Sequence, residues 1–299
     1  MAEMMGVPDN NPLVVSLNVL PLTIIIPFIN TLLSVLKTLF LFTKSDFKTT
    51  ILPVTIFAAT TAPVIDFSSI LQSIFWTWLH LFQFTLANQS LGYEEDMVNK
   101  PDRPIPSGRI SVEHTQLLRW LSIIPCFVLS AYYSPTTLRV SIAFAILTFL
   151  YNEMALSANW FTRNVLNGFG VAAFEAGATL VAGRNTGNLD PSARLAVIIG
   201  ASLFATTIHT QDFKDVFGDK KAGRRTLPMI FPIASRISVF VLIMAWSFGL
   251  RSLWKTGPIL SAILIALGSL VGSRFLFLHS VKADQHSYYL YNAEEVISE

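Results

Sequence analysis

Carboxylates, amides and cations crowd into two short stretches of an otherwise apolar chain. The first runs Asn88-Gln-Ser-Leu-Gly-Tyr-Glu-Glu-Asp-Met-Val-Asn-Lys-Pro-Asp-Arg-Pro-Ile-Pro-Ser-Gly108. On a continuing helix Asn88, Gly92 and Asp96 fall at i, i+4 and i+8, on one face, with Glu95 beside them. Lys100 and Arg103 follow at once, where Pro101, Pro104 and Pro106 deny the helix any continuation. The second stretch runs His209-Thr-Gln-Asp-Phe-Lys-Asp-Val-Phe-Gly-Asp-Lys-Lys-Ala-Gly-Arg-Arg225. Asp212, Asp215 and Asp219 stand at i, i+3 and i+7, again one face, among Lys214, Lys220, Lys221, Arg224 and Arg225. Such oxygen clusters suit Mg²⁺, which shares its coordination shell with water and substrate phosphates. Two of them facing each other across a cavity could hold a pair of ions, with a diphosphate between them and Arg and Lys on its outer oxygens. Metal-assisted departure of diphosphate from an allylic carbon leaves a carbocation, which needs a deep, dry, apolar chamber. Aromatic faces steady such a charge by ~0.5–2 kcal/mol each.

The elements that must position these groups are membrane helices. Of 299 residues, 52% are hydrophobic and only 13% charged, where a soluble domain carries about a quarter charged. The expected fold is all-α, a polytopic bundle of about eight transmembrane helices around a central chamber. Candidate spans lie at about 49–66, 70–91, 114–134, 137–155, 164–183, 192–212, 230–250 and 257–278. Residues 1–43 are expected as a polar tail with an irregular start and an interfacial helix from about Pro27 to Phe42. Residues 44–279 would form the catalytic bundle and 280–299 a polar C-terminal tail. A lone Cys126 excludes an intramolecular disulfide, and the absence of early Lys or Arg argues against a cleaved signal peptide. Basic residues gather in the loops that hold both acidic clusters, which places those loops and both termini in the cytosol. The expected setting is integral to a membrane, the endoplasmic reticulum, with neither nucleic acid nor an obligate protein partner.

The two loops resemble the signature regions of the UbiA superfamily of intramembrane prenyltransferases. The family's first motif, Asn-Asp-x-x-Asp-x-x-x-Asp, precedes a Lys-Pro-x-Arg-Pro-x-Pro-Ser-Gly loop, and KPDRPIPSG at Lys100–Gly108 matches that loop closely. Asp212, Asp215 and Asp219 match the second motif, and GDKKAGRRTLP continues it. The resemblance implies that Asn88, Glu95, Asp96, Asp212, Asp215 and Asp219 ligate two or more Mg²⁺ ions, with Mn²⁺ as a substitute. It implies that Lys100, Arg103, Arg163, Asn167, Lys214, Lys220 and Arg224 bind the diphosphate of a polyprenyl substrate. Two of the family's Asp positions are Gln89 and Gly92 here. That Asn-Gln…Glu-Glu-Asp variant is similar to fungal membrane-bound terpene cyclases of the superfamily, which close rings on farnesyl or geranylgeranyl diphosphate without an acceptor. A ninth span common in the family is expected to be missing or reduced.

Other candidates carry a plain reading beside the chemical one. Trp76, Phe149, Tyr151, Phe174 and Glu175 are candidates to line the chamber, although most aromatics of such a bundle face lipid or other helices. Glu175 is an acid in mid-span, which is costly and usually functional. It is either an ion-pair partner or late base, or else a protonated carboxyl bonded to a neighbouring helix. Tyr151, Asn152 and Glu153 end a span on the motif side, within reach of a diphosphate. His80 and His209 read as packing residues and Glu94 as a solvated neighbour. Three functions compete: a cyclase, a prenyltransferase acting on an aromatic or quinone precursor, and a transporter coupled to intramembrane acids.

Overall fold

The computed structural model describes residues 12–63, 66–184 and 187–298, the side chains of 12–24 and 293–298 excepted. It divides into two compact units, Met1–Leu41 and Phe42–Glu299. The N-terminal segment is one continuous helix, α1 (Pro12–Thr43), in place of the expected irregular start, and it runs through Pro21 and Pro27 without a break. Phe28, Leu32, Leu33 and Leu36 are exposed along it, as on a helix that faces lipid. The helical run Ile25–Thr61 is long and apolar enough to cross a membrane.

The second unit follows through a 3₁₀ turn at Lys44–Asp46, a π turn at Phe47–Ile51 and α2 (Leu52–Thr61). Next come α3 (Phe67–Leu91), α4 (Tyr93–Asn99), α5 (Val112–Leu121), α6 (Ile123–Tyr133) and α7 (Pro135–Asn152). The chain continues through α8 (Trp160–Ala182), α9 (Pro191–Thr207), α10 (Val216–Lys221) and α11 (Leu227–Ile230). It closes with α12 (Pro232–Trp254), α13 (Pro258–Phe277) and α14 (Val281–Ser298). The helix starts are written in the turns between them. Asp66, Ser134, Asn159 and Asp190 each accept a backbone N–H of the helix they precede, satisfying donors that the first turn leaves open.

Five helical runs among the described residues have the length and apolarity to span: Ile25–Thr61, Trp160–Ala182, Pro191–Asp212, Pro232–Trp254 and Pro258–Phe277. The other three expected spans differ for identifiable reasons. α3 turns Ser73, Thr77, His80 and Gln83 inward and buries them, which lowers its overall apolarity. The expected helix 114–134 is two helices, α5 and α6, that meet at Ser122, three residues before Pro125. α7 is a shorter, 18-residue helix with Arg139 in it.

α8 is the hub, packing on α9, α3, α7 and α2, while α12 packs on α13 and α13 on α14. One apolar cluster gathers Trp76, Leu81, Phe144, Phe174 and Val181; another gathers Phe204, Ile208, Val239, Val271 and Phe275. His80 is buried and bonded to Trp76 O and Ser141 Oγ. His209 is buried and bonded to Ser235 O and Ser238 Oγ. Both are the packing residues expected.

The segment expected as a polar tail is α14, a packed helix. Asp284, Ser287 and Tyr291, at i, i+3 and i+7, form its buried face. Arg236 of α12 donates to Asp284 at 2.9 Å through both terminal nitrogens, and also to Phe275 O. Tyr291 Oη and Thr207 Oγ1 share a hydrogen bond of 2.8 Å. The helix is polar because it docks on arginines and hydroxyls.

Candidate active site

The first acidic segment closes α3. Gly92 N bonds Asn88 O and Asp96 N bonds Gly92 O, so helical pairing continues across the bend between α3 and α4. Asn88, Gly92, Glu95 and Asp96 all border one polar cavity. The proline loop then folds back, with Gly108 at a left-handed φ of 71° that favours glycine. It brings Arg103 onto Asp96, with Nη1 donating to both carboxylate oxygens at 2.8 and 2.7 Å.

The second segment closes α9 through a 3₁₀ turn, Ile208–Asp212, and α10. It packs on the first segment through Gly218, where a Cβ would lie 1.9 Å from Asn99 Nδ2 of α4, so the Asn99 amide lies against the bare glycine. Arg224 then spans the two segments, pairing with Glu95 of one and with Asp219 of the other at 3.0 Å. The third wall is the start of α8. Arg163 donates to Asp212 Oδ1 through Nη2 at 2.9 Å and to Tyr151 Oη through Nη1 at 2.8 Å.

The cavity measures about 310 Å³, and Lys100, Arg103, Arg163, Lys214 and Arg224 face it together with Asp46, Glu95, Asp96 and Asp215. Burial holds Asp96 above its ordinary value against the pull of Arg103. Burial and the nearby Arg103 push the Lys100 ammonium down. Burial would also raise Asp215, but Lys214 and Lys100 outweigh it and hold the carboxyl below its usual range. Asp219 is pushed up to about 6, chiefly by burial, with Arg163 pulling the other way.

An apolar chamber of about 160 Å³ lies next to the polar cavity, walled by Leu81, Phe144, Leu147, Val171, Phe174 and Phe204. Asp46, Thr49, Phe84, Tyr151, Asn167, Gln211 and Tyr288 border both spaces. A charged mouth thus adjoins a mainly apolar interior through a ring that includes three aromatics.

Most expected site residues meet here, and several do not. Asn88, Glu95, Asp96, Asp215, Lys100, Arg103, Arg163, Asn167, Lys214 and Arg224 border the mouth, and Tyr151, Phe174 and Glu175 border the chamber. Asp212 and Asp219 stand behind the arginines they pair with, 1% and 0% exposed. Lys220 is exposed and away from the cavity, at the solvent end of α10. Trp76 is no chamber residue: its ring is buried in the helix interface and its Nε1 donates to Ser130. Phe149 points outward, 40% exposed. Glu153 pairs with Arg119 at 2.9 Å instead of facing the cavity, and Asn152 accepts from Asn88. Glu94 is exposed, as expected. Gln89 turns away from the site altogether, donating at 2.8 Å to the Phe42 carbonyl.

Sequence reasoning missed α14. Tyr288 borders both spaces, Gln285 and Tyr289 border the mouth, and Lys214 Nζ lies 5.2 Å from the centre of the Tyr288 ring. The signal was there in the i, i+3, i+7 spacing of Asp284, Ser287 and Tyr291.

Among the described residues no three His, Cys, Asp or Glu side chains converge into a ready-made metal cage. The donor set nevertheless fits Mg²⁺, which is usually held by one or two carboxylates and completed by water and phosphate oxygens. Asp212 Oδ2 and Asp219 Oδ2 are buried acceptors that receive no hydrogen bond. Four more oxygen donors, Asn88, Glu95, Asp96 and Asp215, face the cavity.

With this geometry in hand, the comparisons agree on one class: the chain belongs to the UbiA prenyltransferase family, whose model matches residues 50–293. It is 34% identical to the fumagillin beta-trans-bergamotene synthase af520 of Aspergillus fumigatus over 87% of this chain and 89% of that one. In Hericium erinaceus it is 30% identical to the diterpene cyclase eriG, over 84% and 82% of the two chains. It is 31% identical to the polyprenyl transferase eriF of the same organism, over 84% and 88%. The fold matches a UbiA homolog from Archaeoglobus fulgidus bound to GPP and Mg²⁺, with a TM-score of 0.61 at 15% identity over 88% and 100% of the chains.

Proposed function

We propose that this protein is a class I-type terpene cyclase that ionises a polyprenyl diphosphate, farnesyl or geranylgeranyl, and closes rings on the resulting cation within the membrane. The observation that carries this is the adjacency of the two spaces, a mouth faced by five cations and an aromatic-walled chamber sharing one ring of residues. The relatives named as a bergamotene synthase and a diterpene cyclase support it, as does the loss of two acids at Gln89 and Gly92. The mouth faces the cytosol, in line with the bias of Lys and Arg toward its loops, and the endoplasmic reticulum is the proposed membrane.

In the resting site Arg103, Arg163, Lys214 and Arg224 are each held by a carboxylate at charge-assisted distance. An arriving diphosphate takes up Arg103, Arg163, Arg224, Lys100 and Lys214, leaving their carboxylates free for metal. Asn88, Glu95 and Asp96 on one side, and Asp212, Asp215 and Asp219 on the other, are the oxygens that would hold Mg²⁺. Once bound, the ion neutralises the leaving diphosphate. The chain's own part is then to keep the hydrocarbon dry and folded. Phe84, Phe144, Tyr151 and Phe174 offer ring faces to the moving charge, each by ~0.5–2 kcal/mol, while Leu81, Leu147, Val171 and Phe204 exclude water.

The test is purified protein with Mg²⁺ and prenyl diphosphates of several lengths, followed by hydrocarbon analysis. A cyclic terpene hydrocarbon or alcohol is expected from the diphosphate alone, and excess EDTA should abolish it until Mg²⁺ or Mn²⁺ is returned. The eriF match favours a second reading, transfer to an aromatic or quinone-precursor acceptor. Product formed only when a phenolic acceptor is added would establish that one instead.

A further inference from the structure

The diphosphate chemistry leaves two acids unused, Asp46 in the ring at the mouth and Glu175 in the chamber wall beyond it. Glu175 sits on α8, 1% exposed, in the wall of the apolar chamber with Phe144, Val171, Phe174 and Phe204. Asn167, in the ring at the mouth, lies eight residues earlier on the same helix. At a ~1.5 Å rise per residue Glu175 is therefore about 12 Å deeper than the ring, and about 18 Å along the axis from Arg163. Its carboxyl fills a space reserved on α9. A Cβ at Gly200 would lie 2.7 Å from Oε1 and 2.9 Å from Oε2, so any larger residue there would displace it. A carboxyl kept deep in an apolar span is costly, and a carboxylate there attracts a positive charge arising beside it.

Ring closure carries the charge away from the carbon that bore the diphosphate. Diphosphate could act as a base only near the mouth. A cation that has moved into the chamber is beyond its reach and within that of Glu175.

We propose that Glu175 takes the terminating proton from the cyclised carbocation, an inference that rests on the cyclase reading above. A C–H bond on the carbon next to the cationic centre breaks. Its electron pair becomes the π bond of the new C=C and discharges the cation, and the proton goes to a Glu175 carboxylate oxygen. Overall, prenyl diphosphate becomes a cyclic olefin, diphosphate and one proton, which passes to water as the product leaves.

The experiment compares product profiles and diphosphate release for wild type, Glu175→Gln and Glu175→Asp. Gln keeps the shape and polarity but cannot take the proton. The normal olefin is expected to fall by at least ~10²-fold in Glu175→Gln, the low end of what a positioned base contributes. Linear, prematurely terminated or water-captured products should replace it, with a smaller drop in diphosphate release. Glu175→Asp, its carboxylate drawn back by one methylene, should give a profile between the two. Wild-type proportions in both variants would overturn the assignment. If Glu175→Gln does not fold, Glu175→Asp alone decides, and an unchanged profile there overturns it. A wild type that makes no cyclic product from diphosphate alone defeats the cyclase reading instead, which is a separate outcome.

Discussion

In the first acidic segment the carboxylates Glu95 and Asp96 face the mouth, whereas in the second only Asp215 does, and Asp212 and Asp219 stand behind arginines. Both segments follow one local plan: a long helix, a short helix, then a basic loop turned by a glycine at φ 71° or 69°. The difference lies in what each carboxylate holds. The front acids border the cavity beside the cations they pair with, Arg103, Arg224 and Lys214. The rear acids hold Arg163 and Arg224 through Oδ1 and keep Oδ2 without a hydrogen bond. Charge at such a site therefore has two uses, one in contact with the ligand and one in orienting the groups that contact it.

The largest effects should separate those uses. Asp215→Ala should lower turnover by at least ~10²-fold, as loss of a key electrostatic group does, with little change in thermal stability, because Asp215 is only half-buried. Asp212→Ala should lose activity and stability together, because it leaves the buried Arg163 guanidinium with Tyr151 Oη. Breaking such a buried pair costs about 3–5 kcal/mol. Thermal unfolding in detergent checks the contrast, and equal midpoints for Asp212→Ala and Asp215→Ala would erase the distinction between front and rear.

A smaller effect probes the two positions where the first segment lacks acids. Gln89→Asp removes the donor to the Phe42 carbonyl and buries a charge, so it should cost about 1–3 kcal/mol of stability without raising turnover. Gly92→Asp should lower turnover, since a Cβ there already lies 3.7 Å from Arg224 Nη2 and 3.9 Å from Glu95 Oε2. A new acid would compete for the arginine that joins the segments. Higher turnover in either variant would mean that the missing acids are a deficit of this site.

The smallest effect is a pH slope. The carboxyl of Asp219 titrates near 6 when folded, against an ordinary value of 3.8. Over that window the folded chain keeps a proton that the unfolded chain has released, so this group's contribution to stability falls as pH rises from 3.8 to about 6. Unfolding midpoints of metal-free protein across the window should fall less steeply in Asp219→Asn. Parallel slopes would refute the shift.

The motifs were legible because oxygen donors at helical spacing beside prolines and cations have few other uses in an apolar chain. What the spacing could not tell was direction. Gln89 and Asn88 are neighbours in sequence, yet one anchors Phe42 and the other borders the mouth. Trp76 and Phe174 are both buried aromatics, and only packing decides that the first fills a helix interface and the second a chamber wall. α14 escaped because apolarity was used to find the bundle, and this helix docks through an arginine pair and hydroxyls. The irregular start expected before Pro27 is helix instead, because α1 continues through both Pro21 and Pro27.

The way the ion pairs divide between the segments bears on how such a chain is made. Arg103 with Asp96, and Lys214 with Asp215, are matched within a few residues of each other. Each segment thus reaches the insertion machinery with much of its charge already answered by its own neighbours. Arg224 with Glu95, and Arg163 with Asp212, wait for a distant part of the chain to be synthesised. Glu95 in particular must stay without its arginine through the synthesis of the next 129 residues.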